Sequence, residues 1–202
     1  RLNRGLSNTF MTGIQTSLAL GADVIVNTDA DNQYPGEMIN ELVKPILSDM
    51  ADMVIGDRQP LLNRNFSKQK GVLEAFGSWV VRKASETDTP DAPSGFRAYS
   101  RYASLRLQVH NPYSYTLETL IQAGRERMKI VHVPISTNQT ERPSRLHKGL
   151  FHFILNQGGA IIRAFILYQP LKTFSSIGTL FFSTGLILLL RFLFLFLSGE
   201  SG

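Results

Sequence analysis

Asn27-Thr28-Asp29-Ala30-Asp31-Asn32-Gln33-Tyr34-Pro35 directly follows the apolar run Val24-Ile25-Val26. Asp23–Thr28 (DVIVNT) is a short buried strand, and Pro35 suits the first turn of a helix. The quoted stretch therefore joins the end of a strand to the start of a helix. On its N-terminal side, Leu6, Phe10, Ile14 and Leu18 repeat at i+4, and Gly21 is a helix stop. Downstream, Met38, Ile39, Leu42, Val43 and Ile46 form the inner face of a second helix, and Ala51–Gly56 (ADMVIG) is another apolar strand. A helix is expected over Lys68–Lys83, with Trp79 in the core. Tyr113–Arg127 then reads as a helix and Met128–Ile135 (MKIVHVPI) as a strand. Helix alternating with buried strand predicts an α/β fold with a mostly parallel sheet. No internal repeat or low-complexity tract is visible.

In such sheets ligands bind outside the carboxyl ends of strands. Asp29 and Asp31, two positions apart on a turn, can both face one hard divalent cation such as Mg²⁺ or Mn²⁺. Such a cation takes one or two carboxylates and fills its remaining positions with water and substrate phosphate. The Gln33 amide oxygen can add a ligand. The competing reading is that Asp31 or Asn32 only caps the next helix. His110, His132, His147 and His152 show no ligand spacing. Cysteine is absent, which excludes a disulfide framework and a Cys-based zinc site and agrees with a reducing compartment.

The 202 residues carry 21 Lys and Arg against 16 Asp and Glu, a net charge of +5. From Leu150 onward only Arg163, Lys172, Arg191 and Glu200 are charged, 4 of 53 residues against 33 of the first 149. Phe174–Leu190 is seventeen residues without a charge, and after Arg191 the apolar run continues to Leu197. A bilayer span needs about 20 apolar residues, so 171–197 is expected to be a transmembrane helix, with Arg191 snorkelling toward the headgroups. Arg142, Arg145, Lys148, Arg163 and Lys172 precede the span and only Glu200 follows, which places the N-terminal part in the cytoplasm. In Leu146–Gln169 the polar or small residues Lys148, His152, Asn156, Gly159 and Arg163 form one helical stripe. That pattern suits an amphipathic helix in the membrane interface. The expected layout is 1–145 soluble domain, 146–170 interfacial helix and 171–197 span. Arg142, Arg145 and Lys148 cluster at the seam, at the height where an anionic lipid headgroup sits.

DADNQYP after a Gly-Ala-Asp strand resembles the metal motif of family-2 glycosyltransferases of GT-A (Rossmann-like) fold. The resemblance is nearest to the polyprenyl-phosphate hexosyltransferase branch, which includes dolichyl-phosphate mannosyl- and glucosyltransferase-like enzymes. NRGLSNTFMTGIQTSLALGADVI, VIGDR, DAPSGFRAYSR, a helix with VHVPI, and RPSRLHKG match in order, covering essentially the whole chain. The resemblance implies that Asp29, Asp31 and Gln33 hold Mg²⁺ or Mn²⁺ on a nucleotide-sugar diphosphate, with Arg58, Ser94 and Gly95 in the donor site; the alternative for Arg58 is a surface salt bridge to Asp57 or another carboxylate. It places Asp91 where many inverting members have a base, with Asp88 as the rival, and Glu118 near the sugar. The alternative for Glu118 is a solvated helix face, and Arg97 could be structural, paired with a carboxylate. It makes Arg142, Arg145 and Lys148 the acceptor-phosphate site, although the family pattern there is an arginine and a Ser-Lys pair and this chain has Ser144-Arg145 and Lys148. A phosphate acceptor is already an anion, so Asp91 could position the sugar or acceptor instead of removing a proton.

The resulting expectation is a metal-dependent inverting transfer of a hexose from a nucleotide sugar to a polyprenyl phosphate at the cytoplasmic membrane face. The alternatives are another acceptor, such as a polysaccharide or other lipid, or a non-catalytic membrane-anchored nucleotide-sugar-binding protein. A Gln-x-x-Arg-Trp-type motif of processive synthases is not found. Nucleic acid is not an expected partner, and a homo-oligomer is allowed. The chain opens on Arg1 inside a helix, without the strands that begin such a domain. It is therefore expected to be a piece cut at both ends and inactive by itself. The sequence leaves open the donor sugar and nucleotide, the lipid, the number of spans and the oligomeric state.

Overall fold

The computed structural model describes residues 5–60, 75, 77–79, 81–83, 85–109, 115–138, 166 and 170–198. The chain divides into two compact units, Arg1–Ile161 and Ile162–Gly202. In the first, helix α1 (Leu6–Ala19) buries Ser7, Phe10 and Ile14 along one stripe. Gly21 takes a left-handed φ of 86° just past its end, where a side chain would be strained. Strand β1 (Val24–Asn27) follows. After the turn, a short 3₁₀ segment (Gly36–Met38) leads into α2 (Ile39–Leu47). The inner face of α2 differs from the expected one. Leu42, Pro45 and Ile46 are buried, Val43 is half-buried and Ile39 is exposed, because the 3₁₀ turn rotates the helix start.

Strand β2 (Met53–Asp57), strand β3 (Arg97–Ser100), helix α3 (Arg101–Arg106), helix α4 (Tyr115–Arg125) and strand β4 (Ile130–Pro134) complete the unit's described elements. The Ser100 hydroxyl caps α3 by accepting the Ala103 N–H at 3.1 Å. The sheet order is β1-β3-β2-β4. β3 is antiparallel to both β1 and β2, and β2 is parallel to β4. Three strands thus share one direction, as expected for a mostly parallel sheet. β3 runs against them in the interior, which makes the sheet mixed. Both faces are covered, giving a three-layer α/β arrangement. Met53 and Ile55 point into a core shared with Phe10, Ile14 and Leu120. Val54 points the other way, toward Leu42, Ile46 and Phe96.

The reversal of β3 positions the site. Its amino end lies at the same sheet edge as the carboxyl ends of β1 and β2, with Asn27 opposite Arg97 and Ile55 also opposite Arg97. The segment entering β3, residues 91–96, therefore meets the segments leaving β1 and β2.

In the second unit, α5 (Pro170–Leu197) is a 28-residue helix with no buried residue, and its most apolar 18-residue window has a mean hydropathy of 2.4. At 1.5 Å per residue it is about 42 Å long, more than the roughly 30 Å hydrocarbon core of a bilayer. Among the described residues it is the one helix long and apolar enough to cross a membrane. Arg142, Arg145, Lys148 and nearly all of the expected interfacial helix lie outside the described residues. Of the expected helix at Lys68–Lys83, residues 75, 77–79 and 81–83 are described and helical. Trp79 is not in the core: it is 48% exposed.

Candidate functional site

The turn after β1 is held by its own polar groups. Asp31 is exposed, and its Oδ1 accepts the Gln33 N–H at 3.0 Å. Asn32 adopts a left-handed φ of 60°, a conformation Asn tolerates. Asn138 clamps the turn from across the chain. Its N–H donates to the Gln33 carbonyl (2.9 Å) and its amide to the Asn32 carbonyl (3.0 Å). The capping alternative does not hold, since the next helical segment starts behind Pro35 without a side-chain cap. Asp31 closes its own turn instead.

Asp29 is half-buried. Burial is the main reason its carboxyl is held above the ordinary carboxylate range; the charge of Asp31 adds to this and that of Arg58 opposes it. Two neighbouring carboxylates in a partly desolvated turn suit a divalent cation, which would relieve both effects. No group of three His, Cys, Asp or Glu side chains that could hold a metal occurs among the described residues. A cation here would rest on Asp29, Asp31 and the Gln33 amide, with water or phosphate completing its shell.

The space over Asp29 is made by Gly95. The three heavy atoms nearest the point where a Cβ would stand on Gly95 are Asp29 Oδ2 (2.9 Å), Tyr115 Oη (2.9 Å) and Asp29 Oδ1 (3.3 Å). Any side chain there would displace the carboxylate or the phenol. Asn27, the last residue of β1, ties these parts together. Its Nδ2 donates to the Gly95 carbonyl at 2.7 Å and to Tyr115 Oη at 3.0 Å. A carbonyl oxygen can only accept, so the amide nitrogen must face Gly95.

Arg58 pairs with a carboxylate, as the alternative reading allowed, but the carboxylate is Asp91 and the pair is buried, not on the surface. Arg58 Nε donates to Asp91 Oδ2 (2.7 Å) and Nη2 to Oδ1 (2.7 Å), and the Arg58 backbone N–H adds a third bond to Oδ2 at 3.0 Å. Both side chains are buried. This two-point geometry is the strong form of a carboxylate–guanidinium contact. Asp88, by contrast, is exposed. Ser94 is fully buried, and its hydroxyl lies near the Tyr34 phenol without meeting full hydrogen-bond geometry with any described residue. Such an orphan is costly unless something else satisfies it.

Around these groups the walls are aromatic and cationic. Tyr34 is buried and stacks on Phe96 at 4.9 Å. Tyr115 stacks on Phe10 at 4.5 Å. Arg97 is fully buried, and its guanidinium donates to the carbonyls of Ala92, Ser94 and Thr116 and to the Thr119 hydroxyl. It is thus structural, as expected, but held by carbonyls where a carboxylate was the expected partner. It ties the 91–96 segment to α4. Glu118 is buried on α4 and is not on a solvated face. His132 is half-buried and bonds Thr89 Oγ1 at 3.2 Å. Sequence reasoning missed Asn27, Tyr34 and Tyr115. The one available signal was position: Asn27 ends a strand two residues before Asp29, and Tyr34 lies in the same turn.

Comparison with known proteins identifies the family and the fold. Residues 1–107 match the family described as Glycosyl transferase family 2. The chain is 32% identical over 145 residues to the UDP-N-acetylglucosamine–dolichyl-phosphate N-acetylglucosaminyltransferase of Methanococcus voltae, covering 69% of this chain and 57% of that protein. It is 27% identical over 143 residues to the undecaprenyl-phosphate mannosyltransferase of Micrococcus luteus, covering 68% and 58%. The chain thus spans less than two thirds of the length of the curated relatives it matches. Glucosyl-3-phosphoglycerate synthase of Mycobacterium tuberculosis, crystallised with Mn²⁺, UDP-glucose and phosphoglyceric acid, has the same GT-A fold. It superposes with a TM-score of 0.60 at 18% identity, over 83% of this chain and 56% of that one. The match covers more than half of the 202 residues, and the chain belongs to glycosyl transferase family 2.

Proposed function

We propose that the chain carries the donor site and membrane anchor of a glycosyltransferase that moves a sugar, with inversion, from a nucleotide sugar to a polyprenyl phosphate. The observation that carries this reading is the meeting, at one sheet edge, of the Asp29–Asp31 turn with the Arg58–Asp91 pair and the 94–95 segment. The names of the relatives supply the acceptor class. Asp29, Asp31 and Gln33 would hold Mg²⁺ or Mn²⁺. That cation, when bound, supplies charge neutralisation for the leaving nucleoside diphosphate. Asp91 fixes the guanidinium of Arg58, which lies close enough to Asp29 for its charge to be felt there, so that Arg58 can face donor or acceptor phosphates. A phosphate acceptor needs no base, which agrees with an Asp91 whose two oxygens are already engaged. Ser94 turns its hydroxyl to the donor, and Gly95, having no Cβ, gives the Asp29 carboxylate its place in the donor site.

In this reading 1–145 is the cytoplasmic catalytic domain, 146–170 lies in the interface and 171–197 crosses the bilayer. Arg142, Arg145 and Lys148 receive the lipid phosphate. The test is incubation of the full-length protein with labelled UDP- or GDP-hexose and undecaprenyl or dolichyl phosphate, with Mn²⁺, Mg²⁺ or chelator. Labelled lipid that requires metal and is lost in Asp29→Ala/Asp31→Ala is expected. Failure of every donor, or full activity of the double variant, would overturn the reading.

A further inference from the structure

β1 and β4 are the outer strands of the four-stranded sheet, yet the chain leaving β4 comes back to the turn that follows β1. The return starts from a fixed point. β4 is in register with β2 as far as Pro134 opposite Asp57, and the buried Ile135 donates its N–H to the Asp57 carbonyl at 2.9 Å. Three residues later, Asn138 directs two donors at the Asp31–Gln33 turn. Its backbone N–H goes to the Gln33 carbonyl (2.9 Å) and its side-chain amide to the Asn32 carbonyl (3.0 Å). A carbonyl only accepts, so the amide nitrogen is the atom that faces Asn32.

The turn has little else to hold it. Asp31, Asn32 and Asn138 are exposed, so packing contributes little to their placement. Asn32 stands at a left-handed φ of 60°, which Asn tolerates without preferring. The Gln33 N–H closes the turn onto Asp31 Oδ1 at 3.0 Å. The Asn32 carbonyl and the Gln33 N–H belong to one rigid peptide plane. That plane is thus gripped at both ends, by Asn138 and by Asp31. The next plane is gripped at the Gln33 carbonyl, again by Asn138. With both planes fixed, the direction in which the Gln33 side chain leaves the backbone is fixed too.

We propose that Asn138 is a positioning residue for the cation site: its two bonds fix the backbone on either side of Gln33 and so hold the Gln33 amide and the Asp31 carboxylate toward one cation. This rests on Asp29, Asp31 and Gln33 being the ligands. Groups that orient a ligating residue from behind typically carry 10–100-fold in metal affinity. Asn138 is exposed, and water replaces its bonds when they open, so it weighs little in global stability.

The experiment measures Mn²⁺ affinity by electron paramagnetic resonance of free Mn²⁺, with and without UDP, on the full-length protein in detergent. Asn138→Ala, Asn138→Leu and Asp31→Asn are compared with the wild type, and apo melting is recorded for each. Asn138→Ala keeps the backbone N–H and removes the amide; Asn138→Leu does the same while keeping the bulk. The expected result is about 10-fold weaker Mn²⁺ binding in both Asn138 variants, with apo melting close to that of the wild type, a combination that a merely structural role would not give. Wild-type affinity in a folded Asn138→Ala overturns the proposal. If Asn138→Ala does not fold, Asn138→Leu decides by the same criterion, and failure of both to fold also overturns it, since the residue would then serve the fold and not the site. Unchanged affinity in the Asn138 variants together with lost affinity in Asp31→Asn overturns the positioning role alone. Unchanged affinity in Asp31→Asn overturns the cation reading itself.

Discussion

Arg58 grips Asp91 at both carboxylate oxygens, with each side-chain contact at 2.7 Å and both residues shut off from solvent. Removing one partner of such a pair leaves the other buried charge without its two-point counterion. Asp91→Ala is expected to cost about 3–5 kcal/mol, whereas replacing both with apolar residues of similar volume should recover most of that loss. Chemical unfolding of the two variants checks this. Donor binding should fall in both, because Arg58 loses its anchor or is gone.

Asp29 illustrates a conflict between stability and binding. Its carboxyl titrates above the ordinary carboxylate value, so over that window the folded chain holds a proton that the unfolded chain has released. Stability therefore falls as pH rises through the window, and the deficit persists at neutral pH. Asp29→Asn should raise the apo melting temperature at pH 7. It should also abolish the gain from Mn²⁺, about 2.7 kcal/mol for the wild type at one hundred times its dissociation constant. Melting curves with and without Mn²⁺ show both.

His132 works in the opposite sense. Burial lowers its pKa; Asp57 and Asp88 partly restore it, and Arg97 opposes them. Below the ordinary value of 6.5 the unfolded chain takes up a proton before the folded one does, so stability drops as pH falls from 7 toward 5. His132→Gln should flatten that slope in pH-dependent unfolding. Thr89→Val removes the Thr89 hydroxyl, which bonds both His132 and Thr87, and should cost about 0.5–1.5 kcal/mol.

Two glycines in helices should answer the same substitution with opposite signs. A Cβ on Gly13 of α1 meets nothing within 4 Å, so Gly13→Ala should stabilise by up to about 1 kcal/mol. A Cβ on Gly124 of α4 would stand 2.0 Å from the Ser85 carbonyl oxygen, a backbone atom that cannot turn aside. Gly124→Ala should destabilise by about 1–3 kcal/mol despite the better helix former. Thermal unfolding of both variants decides.

What could be read from the sequence follows from how local each signal is. α1 and β1 were legible because Phe10 and Ile14 repeat at helical spacing, Gly21 stops the helix and Val24–Val26 is an apolar run. β3 was not legible as a strand. Arg97-Ala98-Tyr99-Ser100 shows no apolar alternation, and Arg97 can be buried only because carbonyls of Ala92, Ser94 and Thr116 receive it. The inner face of α2 was misjudged at Ile39 because a 3₁₀ turn sets the phase. Asp29, Asp31 and Arg58 could be chosen from a motif, but the partnership of Arg58 with Asp91 spans 33 positions and no spacing rule predicts it. Nor does any local pattern announce Tyr115.

The Asn27 amide reaches Gly95 across 68 positions and Tyr115 across 88. Contacts of such separation are entropically expensive to close early and form late in folding. If Asp29 and Asp31 hold a cation as proposed, the Gly95 wall beside them is absent from a partly folded chain, and a divalent cation would act on the assembled domain by slowing its unfolding. Added Mn²⁺ should leave the refolding rate unchanged and act on the rate of unfolding.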